Sequence, residues 1–215
     1  MSVKVKVCGV TRLEDARATW AAGADALGLN FYPRSPRCVD IATAAALAAT
    51  RPPLGAVVGV FVNASPEDIR VRVRECGLTA VQLHGDEPPE ACGGFGVPVI
   101  KALQVRGPED VARARTYVGA GDVAGLLLDG AAPGYGGGGV TFDWSLVARL
   151  TGEGLPVLVA GGLKPSNVAE AVRATRPYGV DVASGVESAP GIKDLDAVRA
   201  FVRTAKSLNL FGAIP

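Results

Sequence analysis

Residues 55–83, GAVVGVFVNASPEDIRVRVRECGLTAVQL, carry the clearest architectural signal in the chain. Gly55 to Val62 is a short, valine-rich apolar run of the kind that forms a strand buried on both faces. Ser65 offers a side-chain oxygen to cap a helix, Pro66 takes the first helical position and Gly77 follows the last, Cys76. Proline suits the first turn because its missing N–H would be unpaired there in any case, and glycine suits the exit. Ala80 to Leu83 is apolar again. Strand, helix and strand within about 30 residues make a βαβ unit, the building block of parallel sheets.

The same alternation extends in both directions. Towards the N-terminus, Val3–Cys8 reads as a strand and Glu14–Ala22 as a helix, with Thr11 as its candidate N-cap and Gly23 at its end. A strand at Ala26–Asn30 and an alanine-rich helix at Ile41–Thr50 follow. Towards the C-terminus come a short helix at Pro88–Cys92, a strand at Val97–Lys101 and a helix at Pro108–Tyr117. Next are a strand at Ala124–Leu128, a helix at Phe142–Leu150 and a strand at Pro156–Ala160. A helix at Pro165–Ala174, capped by Lys164 or Ser166, leads to a strand at Val180–Ala183 and a last helix at Asp194–Ser207. Eight such units predict a single-domain (β/α)8 barrel over residues 1–215. An open doubly wound sheet is the competing arrangement, but the turn after the first strand is CGVTRLE and not the GxGxxG of a dinucleotide site. The longest loop, Gly130 to Thr141, is glycine-rich, and loops of that length in a compact fold are usually functional or mobile.

Composition narrows the function. The chain has 215 residues, 48% hydrophobic but only 6% aromatic, so the core is aliphatic. Lys plus Arg number 22 against 21 Asp plus Glu, which leaves no broad basic field for nucleic acid. The four cysteines, Cys8, Cys38, Cys76 and Cys92, form no CxxC pair, and histidine occurs once. Neither a zinc cage nor a disulfide framework is expected, and no metal site is read from the sequence. MSVKVKV enters a strand directly, without the apolar stretch of a signal peptide, and no run approaches the roughly 20 apolar residues that span a bilayer. A cytoplasmic protein, monomer or homodimer, with no membrane partner is expected.

Barrel enzymes work at the C-terminal ends of their strands. The polar residues there are Cys8, Asn30, Asn63, Gln82 with His84, Lys101, Asp129 and Asp181. The loop after the second strand, FYPRSPR, adds Arg34 and Arg37. The seventh strand runs into AGGLKPSN, with Gly161 and Gly162, and the eighth into ASGVE, with Ser184 and Gly185. Glycines let backbone N–H groups converge on an anion, and barrels often bind phosphate with these two loops. Either pair alone is an ordinary turn; both at these two strands point to a phosphorylated small molecule.

Cys8 and Asp129 stand on strands that are not neighbours, so they can face a substrate from opposite sides, one as base and one as acid. A thiol base wants its pKa lowered by a cation or helix end, and a carboxyl acid wants its own raised by burial. The bland alternatives are a small core residue for Cys8 and a turn cap for Asp129. Arg37 has the planar fork that receives a carboxylate in two parallel bonds, or is a solvated loop arginine. His84 is a candidate acid or a structural residue beside Asp86 and Glu87. Lys101 is a candidate Schiff-base former, and Lys164 a candidate phosphate neutraliser.

In this order KVCGVT (6–11), DALGLNFYPRSPR (25–37), VGVFVN (58–63), VQLHGDE (81–87), LLLDG (126–130), FDW (142–144), LVAGGLKPSNV (158–168) and GVDVASGVESAPGIKD (179–194) form a specific set. The chain resembles the phosphoribosylanthranilate isomerases of tryptophan biosynthesis over almost its whole length. The resemblance implies a (β/α)8 barrel that works without cofactor or metal. It implies an Amadori rearrangement of N-(5-phosphoribosyl)anthranilate to 1-(2-carboxyphenylamino)-1-deoxyribulose 5-phosphate. By position it places the general base on Cys8, the general acid on Asp129 and the holder of the anthranilate carboxylate on Arg37. It puts the phosphate loops on Gly161, Gly162, Ser184 and Gly185 and Asp181 near the substrate amine and ribose; Gln82 and His84 stand beside these as candidate substrate contacts. One departure stands out: Gly138 replaces the threonine usual before FDW, which removes a hydroxyl from that loop. Two other readings compete, a sister phosphate-binding barrel with different acid and base residues, and a barrel that binds a phosphorylated ligand without turnover.

Overall fold

The computed structural model describes residues 2–130, 144–152 and 154–208. Eight parallel strands close into a barrel in sequence order. They are β1 Lys4–Cys8, β2 Ala26–Asn30, β3 Ala56–Phe61, β4 Ala80–Leu83, β5 Val99–Val105, β6 Val123–Gly130, β7 Val157–Val159 and β8 Gly179–Val182. Closure is the pairing of β1 with β8, in which Lys6 lies opposite Asp181. Between them run α1 Leu13–Ala21, α2 Ile41–Ala48, α3 Pro66–Cys76, α4 Pro108–Arg115, α5 Trp144–Ala148 and α6 Val168–Thr175, with α7 Leu195–Lys206 last. A single 3-10 turn, Pro89–Ala91, stands in for a helix after β4. Among the described residues no helix is long and apolar enough to cross a membrane.

The expected βαβ unit forms as read. Ser65 Oγ accepts from Asp68 N, Pro66 begins α3, and Gly77 closes it at φ 63°, in the left-handed region that glycine enters freely. Two caps differ from expectation. The N-cap of α1 is Arg12, because Thr11 spends its hydroxyl on Gly191 O at 2.6 Å. The N-cap of α6 is Asn167, not Lys164 or Ser166, and α6 starts at Val168. The extent of β5 also differs. Leu103 and Val105 continue its alternation and pair with β6 as far as Val105 opposite Gly130, so Lys101 is in the middle of a strand and not at its end.

Alternation along each strand sorts side chains into two shells. Val5, Val7, Leu27, Leu29, Leu126 and Leu128 point outward into the large core shared with the helices. Ala102, Leu127, Leu158 and Ala160 pack in the barrel interior. A two-stranded hairpin, β9 Glu187–Ala189 with β10 Ile192–Lys193, follows β8 through the 3-10 turn Ser184–Val186. The expected strands did not include it.

Candidate active site

The inward shell becomes polar at the C-terminal end of the barrel. Cys8, Gln82, Asp129 and Asp181 occupy inward positions on β1, β4, β6 and β8, and they line one cavity of about 460 Å³. Arg37 and His84 complete its wall, and Gly161, Gly162, Ser184 and Gly185 lie at one side of it. The structure thus brings these ten residues together, whereas Asn63, Lys101 and Lys164, also named from the sequence, are not in the cavity lining.

Cys8 ends β1 above Lys6, two residues earlier on the same face. Lys6 is wholly buried, and its Nζ donates to Asp181 Oδ1 at 2.9 Å. Burial works against the Lys6 ammonium, but Asp181 and the Cys8 thiolate outweigh it and hold its pKa above the ordinary lysine value. Burial pushes the Cys8 thiol up, and Lys6, the strongest opposing influence, does not cancel that rise. The expectation of a lowered thiol pKa is therefore reversed, because the desolvation of a thiolate inside the barrel exceeds the pull of the cation.

Across the cavity Asp129 is 4% exposed. His84 Nε2 faces its Oδ2 at 3.5 Å. Gln82 Nε2 lies 3.2 Å from His84 Nδ1. With the amide nitrogen as donor Nδ1 accepts, and Nε2, which has no hydrogen-bond partner among the described residues, faces Asp129. The main chain of His84 is fixed as well: its N–H donates to Phe61 O at 2.8 Å.

Arg37 comes from the loop after β2. Asn30 shapes that loop by accepting from Tyr32 N and donating to Ser35 Oγ, which in turn accepts from Arg37 N. The Arg37 fork is engaged by a residue the sequence reading did not single out. Its Nε and Nη2 donate to Glu187 at 2.9 and 2.6 Å, and Nη1 lies outside this pair. Glu187 also accepts from Lys193 Nζ at 2.9 Å, and Lys193 reaches Cys8 O at 2.6 Å. Burial opposes the Glu187 carboxylate, but its bonds to Arg37 and Lys193 hold its pKa below the ordinary value.

The two glycine loops meet at the cavity wall. Gly161 and Gly162 have φ of 88° and 63°. Asn167 pins this loop, accepting from Lys164 N at 2.8 Å and donating to Gly162 O at 2.9 Å. Gly185 backs directly on it, since a Cβ there would lie 1.9 Å from Leu163 O. The backbones of the two loops are thereby packed against each other at the cavity wall.

Two nominated lysines lie elsewhere. Lys101 is 0% exposed and on the outer face of β5, where it donates to Leu83 O, Gly85 O and Glu87 Oε2. A side chain so enclosed is no Schiff-base former. Lys164 is exposed and does not line the cavity. Gly138 and residues 209–215 lie outside the described residues. Lys6, Glu187 and Lys193 were missed. Alternation gave a usable signal for Lys6, which shares the inward face with Cys8; the hairpin that brings in Glu187 and Lys193 had none.

Residues 5–204 match the family described as N-(5'phosphoribosyl)anthranilate (PRA) isomerase. The chain is 82% identical over 211 residues to N-(5'-phosphoribosyl)anthranilate isomerase of Myxococcus xanthus, covering 98% of this chain and 100% of that one. It is similar to the crystal structure of phosphoribosyl anthranilate isomerase from Thermotoga maritima, with a TM-score of 0.90 and 44% identity over 96% of this chain and 100% of that one. It is also similar, at a TM-score of 0.86 and 41% identity over the same shares, to a phosphoribosyl anthranilate isomerase in complex with reduced 1-(o-carboxyphenylamino)-1-deoxyribulose 5-phosphate. With that barrel, that cavity and these matches, the chain belongs to the N-(5'-phosphoribosyl)anthranilate isomerase family.

Proposed function

We propose that this chain, working as one barrel domain, isomerises N-(5'-phosphoribosyl)anthranilate in tryptophan biosynthesis, with Asp129 as general acid and Cys8 as general base. The observation that carries this assignment is that both groups line one cavity from strands that are not neighbours, β1 and β6, with the glycine loops in the same lining. The substrate phosphate sits on Gly161, Gly162, Ser184 and Gly185, and this fixes the ribose between the two groups. Asp129 gives its proton to the ring oxygen. The C1–O bond breaks as the amine lone pair forms the C1=N bond of a Schiff base. Cys8 then removes the proton from C2, and those electrons form the C1=C2 bond of an enolamine while nitrogen regains its pair. Protonation at C1, with loss of the proton from the C2 hydroxyl, leaves the ketone at C2. Every step is proton transfer, so the sequence needs no hydride carrier.

Arg37 meets the anthranilate carboxylate with the edge of its guanidinium that Glu187 leaves over. Asp181 lies near the substrate amine, held in place by Lys6. The test is turnover of N-(5'-phosphoribosyl)anthranilate by the chain and by Cys8→Ser and Asp129→Asn. Each variant should lose at least 100-fold in kcat, the usual range for a proton-transfer group, while still binding phosphorylated product analogue. Full activity in either variant contradicts its role.

A further inference from the structure

We propose that Lys6 is a positioning residue for the base: an ammonium set beneath the Cys8 thiol, tethered by Asp181, that serves as the counter-ion of the thiolate. The inference rests on the reading of Cys8 as the base and adds the group that lets it ionise.

Lys6 and Cys8 are adjacent inward positions on β1, and the Lys6 side chain is 1% exposed. Lys6 does not line the cavity, so it acts on substrate only through the two groups it meets there, Cys8 and Asp181. A Cβ added to Gly28 on β2 would lie 2.6 Å from Cys8 Sγ and 3.1 Å from Lys6 Nζ. Thiol and ammonium therefore share one small space, and it exists because residue 28 has no side chain. Gly28 is not among the positive-φ glycines, so the position needs room and not an unusual backbone.

The other charges around the thiol point the same way. Lys193 on β10 and Arg37 from the loop after β2 both face Cys8, but both are bound to Glu187. Lys193 is further committed to the carbonyls of Cys8 and Ala183. Asp181 on β8 disfavours the thiolate but keeps the Lys6 ammonium charged and in place. Lys6 is the cation with a carboxylate on one side and the thiol on the other. A fully buried lysine is costly unless its charge is used, and an apolar residue would fill this layer of the barrel at lower cost.

The experiment measures alkylation of Cys8 by iodoacetamide against pH in the full chain, read on the Cys8 peptide by mass spectrometry. This excludes signal from Cys38, Cys76 and Cys92. Lys6→Met should move the midpoint up by about one pH unit or more, a roughly tenfold loss of thiolate at any lower pH. The alkaline-rising limb of kcat/KM should move by the same amount. Lys6→Arg should restore most of the shift. Gly28→Ala keeps Lys6 and crowds both groups with a methyl, forcing them to shift; it too should raise the midpoint, and it serves if Lys6→Met does not fold. An unmoved midpoint in a folded Lys6→Met or Gly28→Ala chain overturns the inference. Full activity of Cys8→Ala would instead refute the underlying assignment of the base, whatever the alkylation shows.

Discussion

Lys101 and Glu87 form a buried ion pair behind His84, with Nζ 2.7 Å from Oε2. Lys101 also holds Leu83 O at 3.2 Å and Gly85 O at 2.7 Å, the carbonyls on either side of His84. Glu87 returns the grip through Gly85 N and Asn63 N, at 2.9 and 2.8 Å. The turn that presents the imidazole to Asp129 is thus fixed from the far side of the sheet. Removing one partner of a buried pair leaves the other charge uncompensated, at about 3–5 kcal/mol. Lys101→Met should lower the unfolding free energy by that amount in urea titration. Adding Glu87→Leu should recover part of it.

The phosphate loops have a sharper steric requirement. A methyl on Gly185 would collide with Leu163 O. Gly185→Ala should therefore push the two loops apart, raising KM at least tenfold and weakening competitive inhibition by inorganic phosphate in parallel, with a smaller effect on kcat. An unchanged phosphate inhibition constant would show that these loops do not hold the anion.

The pH dependence of turnover follows from the base. Burial holds the folded Cys8 thiol above its ordinary value despite Lys6. The base is then mostly protonated at neutrality, and the thiolate fraction grows as pH rises. kcat/KM should climb with pH through the neutral range and level only above the ordinary thiol value of about 8.5. A profile already flat from pH 6 to 8 would contradict a thiol base in this environment.

Glu187 sets the acid side of stability. Its folded pKa lies below the ordinary value of 4.5, so the carboxylate binds protons less readily in the folded chain than in the unfolded one. The stability it contributes is full above that ordinary value and is lost as pH falls through the lower, folded value. In Glu187→Gln, urea midpoints should be lower at neutral pH and should fall less steeply on acidification. KM should rise as well, because Arg37 loses the partner that fixes its fork.

The barrel was legible because its signals are local. Ser65, Pro66 and Gly77 mark a helix by chemistry that acts within a few residues, and eight apolar runs at regular spacing leave little choice of sheet. The cavity residues were legible because they stand at strand ends or in the loops that follow. What escaped needed information the chain does not carry locally. Lys101 reads as a strand-end residue in the sequence because the continuation of β5 depends on pairing with β6. Glu187 and Lys193 reach the site through a hairpin whose turn, at Pro190 and Gly191, reads as ordinary loop. The rise of the Cys8 thiol needed the depth of burial, which alternation alone does not give.

The most direct measurement generates N-(5'-phosphoribosyl)anthranilate in situ and follows the loss of its fluorescence with the chain added, then with Asp129→Asn and Cys8→Ser. Rapid loss with the wild-type chain, and loss slowed at least 100-fold with each folded variant, is the predicted result. No loss with the folded wild-type chain, or full speed in either variant, would contradict the acid and base assignment at its centre.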